Sequence, residues 1–540
     1  MKRITVMYIW NDLSMGGATQ SLLDTLTQIC GRVNCLVTIR GKNQFANILD
    51  NLNIKYYILP FARDYGSIDS CTEERANESY VEDYKMSIEL SKILKNEQVD
   101  IVHINSSTSN VGAIAALMAG IPYIWHVREL LQEHYNCTFY DEKLEKELFS
   151  KADKIISISD CVKKSYKQKY GLETLRMYNG LNISKYKRKL DNKKYNKSFL
   201  LAGVIDESKG QWDAIRAVEK ILEQGYSDIE LYIVGDGDEN LKWILKKYIL
   251  QKKMNSNIHV IDFQNDLADF REKVSYSITG SKMEALGRAT IEAMLAGNVV
   301  IGSNTGGTAE IIGTNQERGY LYQQGNYIEL AKVMINVIEE DDNKKNQIVV
   351  SAQKYAEENF DSVKYCDKLY LLYKEIVKTR KQGNKVYIDS LDEKYKKLCL
   401  QVKTNNNEKF EDEQTKKEQL ISTWNKKWIQ IERANLSFAG YFSNKNIHTV
   451  AIYGMGLFGQ KVYDALENSS IMVKYVMDRN NKKISRIVQM VNPDLQLPKV
   501  DAIIVTVLLQ ESELVKWLKR KCNYRIVGLS EILNEITDTL

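Results

Sequence analysis

The order of short β-branched runs and helix-length amphipathic patterns predicts an α/β protein: two doubly wound, parallel-sheet domains facing a cleft, then a helical linker and a small third α/β domain. Three observations predict it. Strand-like runs alternate with helical patterns over residues 4–158 and again over 198–301; a polar, lysine-rich stretch separates the two series; and a strand, glycine turn, helix and strand begin once more at His448.

In the first series, short β-branched runs at 4–10, 34–39, 100–104, 122–126 and 154–158 read as parallel strands buried on both faces, with helices such as 21–29 between them. Gly16 and Gly17 follow the first strand and allow close backbone approach at the next helix start. A third glycine of a dinucleotide fingerprint is missing there, which argues against a cofactor at this end. Ser106 and Ser107, after the third run, read as acceptor contacts or as helix caps. The run 122–126 leads into Trp125-His126-Val127-Arg128-Glu129, and His126 at the strand end is expected to point into the cleft.

After Asn179-Gly180 the lysine-rich stretch runs to Lys197, and runs at 198–202, 229–234, 258–262, 275–279 and 298–301 supply a second sheet. Carboxyl ends of strands in both sheets should line the interdomain cleft. The first strand of this sheet ends in Leu201-Ala202-Gly203-Val204-Ile205-Asp206-Glu207-Ser208-Lys209-Gly210, where Lys209 can place an ammonium on an anion. Asp236-Gly237-Asp238 has the D-x-D form of a divalent-cation site, but a plain buried strand precedes it and a turn is the preferred reading.

The most informative stretch is Glu284-Ala285-Leu286-Gly287-Arg288-Ala289-Thr290-Ile291-Glu292. Were it all helix, its two glutamates would lie about 12 Å apart on different faces. Glu284 on a loop, Gly287 as the turn, and Glu292 early on a helix that Gly297 ends fit better. The amides of Leu286, Gly287 and Arg288 would then sit at a helix N-terminus suited to a diphosphate, between two carboxylates able to accept sugar hydroxyls.

From about residue 379 to 446 the chain is charged and glycine-poor, with a polar break expected at Thr404-Asn405-Asn406-Asn407. Leu420, Trp424, Trp428 and Ile431 share one helical face, expected to pack on the neighbouring domain. The last domain, 447–540, opens with a strand, then Gly454-Met455-Gly456-Leu457-Phe458-Gly459, a helix, and a strand ending in Asp478. Gly454, Gly456, Gly459 and Asp478 resemble one half of a dinucleotide site, and a glycine turn also serves close helix-to-strand packing alone.

Length and composition suit a soluble protein of about three domains: 540 residues, 44% hydrophobic, 27% charged, formal net charge +5. Residues 151–200 hold 14 Lys plus Arg against 4 Asp plus Glu. That basic face reads as attraction to phospholipid headgroups or a pyrophosphate-linked acceptor, or as a solvated linker. No binding module or zinc spacing accompanies it, so nucleic acid is not an expected partner. Eight cysteines without a C-x-x-C pair suit a reducing cytoplasm. No signal peptide or span of roughly 18–20 apolar residues is seen, so any membrane contact is expected to be peripheral, at the inner face.

The Glu-x7-Glu of Glu284 and Glu292, together with Thr305-Gly306-Gly307-Thr308-Ala309-Glu310, resembles the retaining GT-B glycosyltransferases of the glycogen-synthase-like family, the glycosyltransferases group 1, over about the first 375 residues. The resemblance implies that Glu284 contacts the donor sugar and Glu292 the ribose, that Lys209 meets the diphosphate, and that His126 reaches the donor sugar from the first domain. The Gly16-Gly17 loop would face donor and acceptor. It further implies a nucleotide sugar, UDP-linked by preference, a glycan or polyprenyl-linked acceptor in bacterial surface polysaccharide assembly, no required cofactor or metal, and retention, with the leaving phosphate helping to deprotonate the acceptor. Domains are expected at 1–183 and 197–355, with a helix over 356–378 crossing back to the first. Val204 departs from the family's arginine and removes a bidentate phosphate clamp, for which Arg288 is the candidate substitute. A glycoside hydrolase, with its carboxyls about 5–9.5 Å apart, and a non-catalytic nucleotide-binding scaffold are the rival readings.

Overall fold

The computed structural model describes residues 3–10, 12, 15–61, 63–190, 194–379, 385–434, 436–467, 469–477, 489–491, 493 and 497–539. They form two compact units, 1–399 and 400–540.

The first unit holds two parallel sheets. Strands β1 (Thr5–Ile9), β2 (Asn34–Ile39), β3 (Lys55–Ile58), β5 (Ile101–Ile104), β6 (Tyr123–Val127), β8 (Lys154–Ser157) and β9 (Leu175–Arg176) run in the order β3-β2-β1-β5-β6-β8-β9. A small antiparallel pair, β4 (Tyr65–Ser67) and β7 (Cys137–Phe139), stands apart. The second sheet comprises β10 (Ser198–Ala202), β11 (Glu230–Val234), β12 (Ile258–Ile261), β13 (Tyr276–Thr279), β14 (Val299–Ser303) and β15 (Tyr320–Tyr322), ordered β12-β11-β10-β13-β14-β15. Strand order therefore reverses between β1 and β5 in one sheet and between β10 and β13 in the other. Loops leaving such a switch point diverge and open a crevice beyond the strand ends.

Alternation along the strands sorts the core into layers. Tyr123, Trp125 and Val127 of β6 share a cluster with the helix Val111–Ala119, whereas Ile124 packs in a separate cluster beneath the helices Gly17–Ile29 and Ser362–Lys378. One cluster contains Val102 and Trp125 from the first sheet with Leu286, Ile291 and Ile311 from the second, so the two lobes share a core and form one compact unit.

The second unit has β16 (Thr449–Tyr453), β17 (Met472–Met477), β18 (Gln489–Met490), β19 (Ala502–Val505) and β20 (Arg525–Gly528), ordered β18-β17-β16-β19-β20. The expected break at Thr404-Asn405-Asn406-Asn407 does not occur: one helix runs Lys385–Arg433, because the asparagines are flanked by strong helix formers. Trp424, Trp428 and Ile431 are buried in this unit's core, Trp424 against Phe458 and Trp428 stacked on Phe438.

Candidate active site

Lys209 and Glu284 meet at the switch point of the second sheet. Beyond β10 the chain passes Gly203 and an exposed Val204 to Lys209 and Gly210, whose φ of +80° and position against Gly280 (a Cβ would lie 2.4 Å from its carbonyl oxygen) admit only glycine. Beyond β13 the loop carries Ser281 and Glu284. Lys209 Nζ donates to Glu284 Oε1 at 2.8 Å, and Ser281 Oγ donates to the same oxygen at 2.7 Å. Burial pushes the Glu284 carboxyl up, but Lys209, Ser281 and the charge of His134 outweigh it and hold the group below its usual range. Glu284 is an oriented, ionised carboxylate.

Gly287, at φ +91°, turns the chain into the helix Arg288–Leu295, which stops at Ala296 and Gly297 (φ +75°), as the sequence predicts. Glu292 lies on the second turn of this helix. Its Oε2 accepts from Arg271 Nη2 at 2.7 Å and its Oε1 from Arg288 Nε at 2.9 Å. Arg288 also reaches the first lobe, donating to Asp24 Oδ2 at 2.8 Å and to the Tyr186 hydroxyl at 3.2 Å. Burial alone would lower the guanidinium; Glu292 and Asp24 more than offset it and hold it above its usual range. On Asp24, burial outweighs Arg288 and the carboxyl rises. Arg288 is thus committed to two carboxylates while still bordering the site.

The glycine loop supports the donor loop from behind. Gly307 N donates to the Glu284 carbonyl at 2.7 Å, and a Cβ at Gly307 would lie 2.4 Å from the Leu286 carbonyl oxygen. Glu310, on the helix that follows, crosses to the first lobe: it accepts from Asp160 N at 2.9 Å, Cys161 N at 3.0 Å and the Tyr178 hydroxyl at 2.7 Å, capping the helix Asp160–Tyr170. Ser159 Oγ donates to the Ala285 carbonyl beside it.

Two cavities adjoin Arg288. The larger, about 200 Å³, lies between Met15 and Gln20 of the first lobe and Arg271, Arg288, Glu292 and the segment 263–268 of the second. Phe263 borders it with 61% of its surface exposed. The smaller, about 160 Å³, is bordered by Gly203, Val204, Lys209, Glu284 and Gly287. Gly17 faces open space where a side chain would stand.

His126 differs from expectation. Strand alternation puts it on the Ile124 face, under the helix Ser362–Lys378, and none of its surface is exposed. Its Nδ1 lies 3.2 Å from His103 Nε2 and 3.2 Å from Arg128 Nη2, while His103 Nδ1 meets the Tyr373 hydroxyl. Burial, then Arg128 and His103, push the imidazole far below its usual range, so it is neutral. Asp236 and Asp238 make a turn: Asp238 caps the helix Glu239–Gln251, and Asp236 pairs with Lys242. Ser107 and Ser106 donate to Glu129 rather than capping a helix. Arg271 and Phe263 were not singled out from sequence, and Glu310 only as the end of the glycine loop; an arginine on the short helix Ala268–Lys273 and a phenylalanine in a polar loop carry no periodic signal.

Residues 182–355 match the sequence model of the family described as glycosyl transferases group 1, and 73–185 that of glycosyltransferase family 4. Over the matched residues this chain is similar to the group 1 glycosyltransferases, and its two doubly wound lobes have the GT-B architecture. Among its relatives, an uncharacterized glycosyltransferase of Haemophilus influenzae is 26% identical over 345 residues, covering 62% of this chain and 89% of the relative. An Escherichia coli UDP-Gal:alpha-D-GlcNAc-diphosphoundecaprenol alpha-1,3-galactosyltransferase is 25% identical over 56% of this chain and 82% of its own length. The crystal structure of Anabaena HepE in complex with UDP superposes with a TM-score of 0.58 at 20% identity, over 69% of this chain and all of that one. Both matched segments lie within the first unit. In the second, Gly454 has φ +93° and Gly459 would place a Cβ 1.9 Å from the Gly454 carbonyl oxygen, so this glycine turn is required by helix-to-strand packing. Gly456 faces open space, and Asp478 lies outside the described residues.

Proposed function

We propose that this glycosyltransferase moves a hexose from a UDP-sugar to a glycan or polyprenyl-linked acceptor, with retention of configuration, in bacterial surface polysaccharide assembly. The observation that carries the reading is the Lys209–Glu284 contact at the switch point, beside a helix N-terminus and a second cavity lined by Phe263, Arg271 and Glu292. Breaking the C1–O bond develops positive charge on the sugar and negative charge on the diphosphate. Lys209 and the amides of Leu286, Gly287 and Arg288 meet the leaving group, Glu284 the sugar and Glu292 the ribose, with Phe263 offering its ring to the base. The leaving phosphate takes the acceptor proton, so no side-chain base and no metal ion are required. Gly16 and Gly17 admit donor and acceptor from the first lobe. The diphosphoundecaprenol acceptor named for the E. coli relative and the UDP of the Anabaena structure support the substrate classes. No described helix is long and apolar enough to cross a membrane, and we assign peripheral contact with the inner membrane face to the basic segment 151–200. A scaffolding role fits the 447–540 domain. Against a hydrolase, Glu292 is held by two arginines, which leaves it poorly suited to act as acid or nucleophile.

Thermal-shift titration with UDP, GDP and ADP tests the reading, since a ligand at 100-fold its dissociation constant adds about 2.7 kcal/mol. UDP is expected to raise the melting temperature most. No shift with any of the three, and no hexose transfer from UDP-glucose or UDP-galactose to extracted polyprenyl-linked glycan, would end it.

A further inference from the structure

The helix Glu239–Gln251 of the second lobe carries an outer face that the fold leaves uncovered. Its inner face anchors it: Leu241, Leu245 and Ile249 are buried in the lobe's core, and Tyr248 meets Trp212 edge-on. On the opposite side Trp243 and Leu250, two turns apart and so on one stripe, keep 54% and 66% of their surface exposed, with Ile244 beside them. The other six tryptophans of the chain are buried or half-buried. Three exposed lysines surround the stripe. Lys247 lies within it, its ammonium 4.7 Å from the Trp243 ring centroid, Lys246 flanks it, and Lys253 follows the last turn; none of the three joins a described ion pair. The neighbouring acids are held at the other end of the helix, where Glu239, Asp236 and Asp262 converge on the buried Lys242, while Lys252 pairs with Glu219. An exposed indole and leucine amid unpaired lysines suit a lipid headgroup layer, with the apolar groups at the acyl boundary and the ammoniums on phosphates. Charge selects between occupants: a second copy of this face would set lysine against lysine, whereas an anionic lipid surface complements it.

Deepening the proposed membrane contact, and resting on that reading, we propose that the helix Glu239–Gln251 docks the second lobe on an anionic phospholipid surface, Trp243 and Leu250 entering the bilayer and Lys246, Lys247 and Lys253 meeting its headgroups. The contact differs in kind from that of the basic segment 151–200, which is electrostatic alone. Trp243 and Leu250 stand outside the core, and the helix is anchored by its other face, so replacing them leaves the lobe folded.

The test mixes the full chain with vesicles of phosphatidylglycerol and phosphatidylcholine whose acyl chains carry bromine, which quenches indoles that enter the bilayer. Wild type is expected to sediment with the vesicles and to lose tryptophan fluorescence. Trp243→Phe, which keeps an apolar ring, is expected to sediment nearly as well but to lose the quenching. Trp243→Ala combined with Leu250→Ala should lower the partition coefficient by about tenfold or more, and Lys246→Gln combined with Lys247→Gln by about thirtyfold, roughly fivefold for each cation, with melting curves unchanged. Sedimentation without quenching, or quenching that survives in Trp243→Phe, overturns this inference alone and leaves the basic segment as the contact. Dimerisation in solution that Trp243→Ala abolishes would assign the face to a second copy and overturn it equally. A wild-type chain that stays in the supernatant overturns the membrane contact and this inference with it.

Discussion

In the second lobe the acids near the cleft have cations: Glu284 lies against Lys209, and Glu292 against Arg271 and Arg288. In the first lobe Asp64, Asp83 and Glu145 are buried and form none of the described ion pairs; Asp83 accepts from Ser79 and Glu145 from Asn110. Burial, then the neighbouring carboxyls, raise Asp64 and Asp83 well above the usual range. Burial likewise pushes Glu145 up to about 8. The difference teaches how each lobe uses charge. Paired acids stay ionised and oriented, ready to hold a substrate that carries its own charge and hydroxyls. Unpaired buried acids are kept neutral and act as structural hydrogen-bonding groups, at the cost of sensitivity to alkali.

The largest expected effect breaks the pairing where chemistry is assigned. Glu284→Gln keeps the shape and removes the charge, and transfer should fall by roughly 10²–10³-fold with UDP binding retained, checked by initial rates and calorimetry on the same preparation. Undiminished transfer would show that the paired carboxylate is ornamental.

Glu145→Gln probes the opposite lobe. Because the folded pKa is raised, the folded chain keeps a proton that the unfolded chain releases above the ordinary value of 4.5; stability is full below that value and is lost as pH rises through about 8. Denaturant melts between pH 5 and 8.5 should show wild type losing on the order of 3 kcal/mol that the glutamine variant does not lose. Identical slopes would place the titration elsewhere. On the acid side His103, held to about 3 chiefly by burial, lends stability above 6.5 that is lost as pH falls, and both variants should share that limb.

Lys209→Ala leaves Glu284 without its ammonium and the leaving group without its cation. UDP affinity should drop by about tenfold and the transfer rate by more, since a charge-assisted hydrogen bond contributes about 1.5–3 kcal/mol. Asp24→Asn is the mildest change: Arg288 keeps Glu292, so nucleotide affinity should move by less than about threefold, a cost under 1 kcal/mol. A large loss there would mean that the arginine's bond to the first lobe, not its bond to Glu292, orders the site.

How much of this was legible from sequence follows from which residues carry local signals. Continuous apolar runs marked β1, β2, β5, β6 and β8 and five strands of the second sheet, and Gly287 marked the loop-to-helix turn between the two glutamates. Edge strands escaped: Lys55–Ile58 has two tyrosines and an exposed isoleucine, and β9 is two exposed residues, neither with a buried-strand pattern. Glu292 was placed correctly on its helix, but its arginine partner Arg271 comes from 21 residues away, where spacing is silent. Glu310 was visible only as the end of a glycine loop; that it caps a helix in the other lobe depends on tertiary approach. His126 was expected in the cleft and is wholly buried, because the helix Ser362–Lys378 packs over its face of the sheet, a tertiary contact that spacing does not show. The two glycine turns, at Gly287 and at Gly454 to Gly459, look alike as strings. The first borders the same cavity as Lys209 and Glu284, and at the second Gly459 is fixed by the neighbouring carbonyl.

The most direct measurement is a crystal structure of the full chain with UDP. The account predicts the β-phosphate within hydrogen-bonding distance of Lys209 Nζ and the Gly287 and Arg288 amides, the ribose on Glu292, and the uracil beside Phe263. Density for UDP at the Gly454 turn of the second unit, or a diphosphate in the cleft remote from Lys209 and Glu284, would contradict it.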